Sequence, residues 1–182
     1  MAGGGTGGHV VPLIAVANVL RDRGHELLFV GTKTGFEARL APEAGFPIEW
    51  IEIGGLMRVG LMKTVSTALK LVPAVTRSMG LLNGADAVFS MGGYVAGPVM
   101  IAAALKRIPM VVMEPNAMPG LTNRLLGKPA RKVLLSFREA ADHFSANQVE
   151  FTGLPVRKEF FAIRPKPMTG EPNILITGGS RG

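Results

Sequence analysis

The chain has 182 residues, 47% of them apolar and 18% charged, which suits one packed domain and excludes a disordered composition. It has no cysteine, so disulfides and thiolate metal sites are excluded and a reducing compartment fits. A formal charge of +7 favours anionic partners such as phosphates, nucleic acid or acidic lipid surfaces, without choosing among them.

Met1 and Ala2 are followed by Gly3-Gly4-Gly5-Thr6-Gly7-Gly8-His9. Glycines let successive N–H groups converge on a phosphate, where a side chain would push the backbone away. From Val10 to Leu20, the residues Val10, Leu13, Ile14, Ala17, Val19 and Leu20 predict a helix whose positive N-terminal end favours anions. A ligand-free strand-to-helix turn is the plainer reading of the same glycines. Gly3, Gly5 and Gly8 also satisfy G-x-G-x-x-G, but the following strand ends Phe29-Val30-Gly31-Thr32-Lys33, without the acid that would hold a ribose diol. No glycine loop runs into Gly-Lys-Ser/Thr, which argues against a nucleoside triphosphatase.

Short strands rich in Val, Ile, Leu or Phe are predicted at 26–31, 48–53, 87–90, 110–113, 132–135, 149–152 and 174–177, with helical patterns between most of them. Near-continuous apolar strands alternating with helices predict an α/β, Rossmann-like parallel sheet covered on both faces, with ligands at the carboxyl ends of the strands. Four such ends carry notable sequence: the first loop, Met91 to Pro98, Glu114-Pro115-Asn116 and Gly178-Gly179-Ser180. Since Met1 and Ala2 alone precede the glycines, the first strand is expected to be missing or trimmed. Pro165, Pro167, Gly170 and Pro172 mark a linker over 164–172, which divides a domain over 1–163 from the opening strand of a second over 173–182.

No secretory leader is expected, and the apolar stretch Val95 to Leu105, broken by Gly97 and Pro98, is short of the ~20 residues a membrane span needs. Between Glu52 and Asp86 there is no acidic residue, while Arg58, Lys63, Lys70 and Arg77 punctuate an apolar series. Lys63, Lys70 and Arg77 recur every seven residues and nearly share one helix face, with Pro73 expected to kink or shorten the helix. Such a helix either packs on the sheet or lies in the headgroup region of an anionic membrane. Nucleic-acid binding, suggested by charge alone, lacks the interleaved aromatics that single-strand binding uses.

Taken in order, GGTGGHVVP at Gly4 to Pro12, MGGYVAGP at Met91 to Pro98, EPNAMPGLTNR at Glu114 to Arg124, GLPVR at Gly153 to Arg157 and ITGGSRG at Ile176 to Gly182 resemble the MurG family of peptidoglycan glycosyltransferases. The resemblance implies the N-terminal half of a two-domain GT-B glycosyltransferase. The implied reaction is inverting transfer of N-acetylglucosamine from UDP-N-acetylglucosamine to the C4 hydroxyl of lipid I, giving lipid II, at the cytoplasmic face of the bacterial plasma membrane. It further implies that Thr6, Gly7, Gly8, Asn116, Arg157 and Ser180 contact the sugar nucleotide, and that His9, Tyr94 and Glu114 line the acceptor side. The family usually has His-Glu-Gln-Asn where this chain has Met113-Glu114-Pro115-Asn116, and an asparagine where it has Leu154. A GT-B enzyme with another acceptor and a nucleotide-binding module are the alternative readings.

The chemistry needs a base for the attacking hydroxyl and stabilisation of the departing diphosphate. His9, at a helix start where the dipole disfavours imidazolium, and Glu114 are rival bases. Tyr94, the single tyrosine, stands between glycines at a strand end and is expected to face ligand; His25 and His143 are expected at the surface. No Asp-x-Asp pair occurs, so no metal is expected, and no cofactor is required. With a donor half lacking, the 182 residues alone are expected to be inactive.

Overall fold

The computed structural model describes residues 1–53, 61–164 and 174, and over 61–69 it describes the backbone alone. Its strands are β1 (Ala2–Gly3), β2 (Phe29–Gly31), β3 (Ile48–Trp50), β4 (Val88–Gly92), β5 (Met110–Glu114), β6 (Lys132–Leu135) and β7 (Val149–Phe151). They form one parallel sheet in the order β3-β2-β1-β4-β5-β6-β7. The central place, taken from sequence to be vacant or trimmed, is held by two residues: Ala2 pairs with Val30 on one side and Ser90 on the other, and Gly3 pairs with Gly92. The seventh predicted strand, 174–177, falls almost wholly outside the described residues, as do the linker beyond Arg164 and the opening of the second domain.

The α-helices are α1 (Gly7–Asp22), α2 (Glu37–Glu43), α3 (Leu61–Leu81), α4 (Ala96–Leu105) and α5 (Leu121–Leu126). Successive strand residues face opposite sides of a sheet, and the two cores follow that alternation. Phe29, Met91 and Met113 pack with Leu13 and Ala17 of α1 and Ala41 of α2 on one face. Val30, Val88 and Val112 pack with Val99, Met100, Ala102 and Ala103 of α4 on the other. Helix α4 is apolar nearly all round because it lies between the sheet and α3.

Helix α3 runs through Pro73, so the proline neither ends nor shortens it. Of its basic stripe, Arg77 pairs with Glu49 at 2.8 Å and Lys70 is exposed. The Lys63 side chain and Arg58 lie outside the described residues. No described helix is long and apolar enough to cross a membrane.

The strand order reverses direction between β1 and β4, the switch point at which open α/β sheets leave a crevice above their carboxyl ends. The loops leaving β1 and β4 meet there. Gly93, at φ +82°, allows this closeness, since a Cβ on it would lie 2.7 Å from the Gly4 carbonyl oxygen.

Candidate functional site

Helix α1 starts three residues before its apolar stripe, with Thr6 as its N-cap residue in extended conformation. The Thr6 hydroxyl makes no cap hydrogen bond; instead Oγ1 lies 2.8 Å from Nδ1 of His9. The Thr6 carbonyl accepts from the His9 and Val10 amides, so the first helical amides, those of Gly7 and Gly8, are left for solvent or ligand. Added methyls at these two glycines would meet nothing closer than 3.9 Å, so open space lies beside them. Helix end, free amides and half-buried imidazole thus share one corner of the crevice.

Burial pushes the His9 pKa below its ordinary value, with the nearby Glu114 carboxylate acting in the opposite sense. The ring is therefore neutral at pH 7. In the tautomer whose Nδ1–H donates to Thr6 Oγ1, Nε2 keeps its lone pair and can accept a proton.

Glu114 ends β5 and is 1% exposed. Its Oε1 accepts from the Asn116 amide and side-chain Nδ2, each at 2.9 Å; its Oε2 accepts from the Gly120 amide at 3.2 Å and Asn123 Nδ2 at 2.9 Å. Four donors occupy the carboxylate, so it ties together the loop from β5 to α5. Asn116 is itself exposed, with its NH2 group held by Glu114.

Tyr94 is half-buried and packs on the larger core, contrary to the expectation of a ring free for ligand. Its ring edge fills the space above Gly5, where a Cβ would approach Cε1 to 2.7 Å, and its hydroxyl lies 3.4 Å from Thr32 Oγ1. Arg157 follows the edge strand β7 and is exposed, with its guanidinium 5.5 Å from the Phe160 ring centroid. No described hydrogen bond or ion pair joins it to the loops of β1, β4 and β5. Ser180 lies outside the described residues. His25 is exposed and His143 half-buried. Among the described residues no group of three His, Asp or Glu side chains is placed to hold a metal ion.

Two polar residues of the site were not singled out from sequence. Asn123 sits within EPNAMPGLTNR, on the buried face of α5, and links Glu114 to the Met113 carbonyl. Glu37, at the start of α2, is fully buried and accepts from the Gly5 amide and from Thr32. The acid missing directly at the end of β2 is thus supplied a few residues later, from the start of α2.

The model of the glycosyltransferase family 28 N-terminal domain matches residues 1–135. A UDP-N-acetylglucosamine--N-acetylmuramyl-(pentapeptide) pyrophosphoryl-undecaprenol N-acetylglucosamine transferase of Solibacter usitatus is 54% identical over all of this chain and 50% of its own length. The like-named protein of Syntrophotalea carbinolica is 45% identical over all of this chain and 52% of its own length. The chain thus spans about half the length of the curated relatives it matches. Among solved structures, Acinetobacter baumannii MurG superposes with a TM-score of 0.71 at 34% identity, over 86% of this chain and 44% of that one. Anabaena Alr3699/HepE in complex with UDP shares the fold, with a TM-score of 0.59 at 17% identity over 81% of this chain and 41% of that one. With the seven-stranded parallel sheet and the match over residues 1–135, the chain belongs to glycosyltransferase family 28, as its N-terminal domain.

Proposed function

We propose that this chain is the acceptor-side half of an inverting N-acetylglucosaminyltransferase that converts lipid I to lipid II, with UDP-N-acetylglucosamine as donor. The observation that carries the reading is His9: a neutral, half-buried imidazole, oriented by Thr6 at the start of α1, in the crevice of the sheet. In the proposed step Nε2 takes the proton of the acceptor C4 hydroxyl while that oxygen attacks the anomeric carbon. The bond from that carbon to the diphosphate oxygen breaks, and UDP leaves with the negative charge. Gly7 and Gly8 offer amides and the positive helix end to an anionic group, and Asn116, Arg157 and Ser180 are assigned to the sugar nucleotide.

The acceptor's polyprenyl chain calls for a membrane surface. The exposed Lys70, with Val72 and Met79 also exposed on α3, supports peripheral attachment to an anionic cytoplasmic leaflet. Flotation with anionic but not neutral vesicles checks that attachment.

The defining experiment is transfer of radiolabelled N-acetylglucosamine to a lipid I analogue by this chain, alone and with the C-terminal half of a relative supplied. Transfer is expected in the complemented mixture alone, and His9→Ala lowers it by ~10²- to 10⁴-fold, the range of one general base. Parental transfer by the His9→Ala chain refutes the assignment of the base.

A further inference from the structure

We infer that Glu37 is a positioning residue of this site, its buried carboxylate clamping the loop between β1 and α1 in the geometry that presents His9; this rests on the reading of His9 as the base. Glu37 belongs to none of the motifs on which the family resemblance stands. Its Oε2 accepts from the Gly5 amide at 2.9 Å, and its Oε1 accepts from the amide and the hydroxyl of Thr32, each at 2.9 Å. Gly5 immediately precedes Thr6, whose hydroxyl holds the imidazole. The carboxylate therefore ties the end of β2 to the residue next to the one that orients the base.

The surrounding sequence is shaped to admit this side chain. A Cβ on Gly4 would lie 2.5 Å from Glu37 Cδ, and one on Gly31 would lie 2.5 Å from Cγ. A Cβ on Gly35 would overlap the carboxylate oxygens. Glycines from two separate loops and a strand end thus leave a slot for one carboxylate. Gly5, at φ +87°, turns its amide into that slot.

The group has to be a carboxylate because both oxygens must accept. A glutamine accepts on one side and presents NH2 to a backbone N–H on the other. Among the described residues Glu37 forms no ion pair, so its charge is sustained by these neutral donors, an arrangement that is costly unless every bond is made. Because the Thr32 proton goes to Glu37, the Tyr94 hydroxyl is the donor across the 3.4 Å to Thr32 Oγ1. This extends the network to the loop after β4, the other wall of the crevice.

The test uses the isotopically labelled 182-residue chain and Glu37→Gln. The expected result is a folded protein whose Met91 and Met113 methyl resonances persist while the Gly5 amide exchanges at least ~10-fold faster. The His9 titration midpoint also moves up towards its ordinary value, a change that general loss of stability would not produce. In the complemented transfer assay the rate falls ~10- to 100-fold, as for a misplaced catalytic group. Unchanged Gly5 exchange and an unchanged His9 midpoint in folded E37Q overturn the inference. If E37Q does not fold, Thr32→Val decides by the same two resonances: it removes the hydroxyl donor and the Tyr94 link while keeping the carboxylate, and no movement of either signal overturns the inference. Parental-level transfer by the His9→Ala chain in the complemented mixture would sink the base reading, whereas the Gly5 and His9 signals judge the clamp separately.

Discussion

Replacement of Glu114 by glutamine separates a loop organiser from a base, because the two roles predict opposite outcomes for stability. The carboxylate accepts four hydrogen bonds, two on each oxygen. A glutamine carbonyl keeps one pair, and its NH2 group then faces two donors. Each bond to a charged group contributes about 1.5–3 kcal/mol, so losing a pair costs about 3–6 kcal/mol. Part of this is offset because a neutral amide is cheaper to bury than a carboxylate. Asn123 offers limited relief: turning its buried, unpartnered Oδ1 towards the new NH2 would surrender the bond from Nδ2 to the Met113 carbonyl. The net expectation is a destabilisation of about 2–4 kcal/mol, a large part of the 5–15 kcal/mol of a typical domain. In urea this lowers the unfolding midpoint by about 1–2 M for a slope near 2 kcal/mol/M. His9 supplies a second readout, since loss of the Glu114 charge removes the influence that raises its pKa and the midpoint moves further down. A change in stability below about 0.5 kcal/mol, the scale of an ordinary surface substitution, would refute the assignment of Glu114 as a buried hub.

Two further outcomes are expected. Gly93→Ala places a Cβ 2.7 Å from the Gly4 carbonyl at φ +82° and should cost about 2–4 kcal/mol in urea unfolding, whereas Gly7→Ala meets no atom within 4 Å and should leave stability within about 0.5 kcal/mol. The folded His9 pKa lies below its unfolded value of about 6.5, so the unfolded chain binds the extra proton: His9-linked stability is full above that value and is lost as pH falls through it towards the folded pKa. His9→Gln should flatten this limb of the stability profile measured between pH ~7 and ~5, and an identical limb in both chains would contradict it.

The sheet was legible because its strands are apolar, short and regularly interrupted, and because alternation along each one assigns its faces. Phe29 and Val30, or Val112 and Met113, fall into different cores as period two requires. The central strand was not legible: two residues, Ala2 and Gly3, carry no periodicity, and what identifies them as a strand is the pairing of Ala2 with Val30 and Ser90 and of Gly3 with Gly92, all far along the chain. In the candidate site, the position of His9 at a helix start was legible from the glycines before it and the apolar run after it. The role of Glu114 was not, since the letters Glu-Pro-Asn do not reveal that Gly120 and Asn123 return to the same carboxylate. Tyr94 was misjudged because flanking glycines suggest exposure; they in fact let two loops approach closely enough to enclose its ring.

The glycine-rich loop shows how composition compresses several separate demands into one pattern. Read as letters, Gly3 to Gly8 suggests a nest of amides converging on a phosphate. In the structure Gly4 makes room for Glu37, Gly5 gives its amide to that carboxylate and its open side to Tyr94, and Gly3 packs beside Met91. Gly7 and Gly8 alone among these glycines face open space with amides unused by the fold. Attraction for an anion therefore rests on two amides and a helix end, about 0.3–1 kcal/mol where exposed and up to about 2 kcal/mol where partly buried. That is too little to hold a diphosphate with high affinity, for which 1 μM corresponds to about 8 kcal/mol. A loop of this construction orients an anion and needs cationic or sugar contacts from beyond it, which is the physical reason the proposed transfer is tested with a second half supplied as well as with this sheet alone.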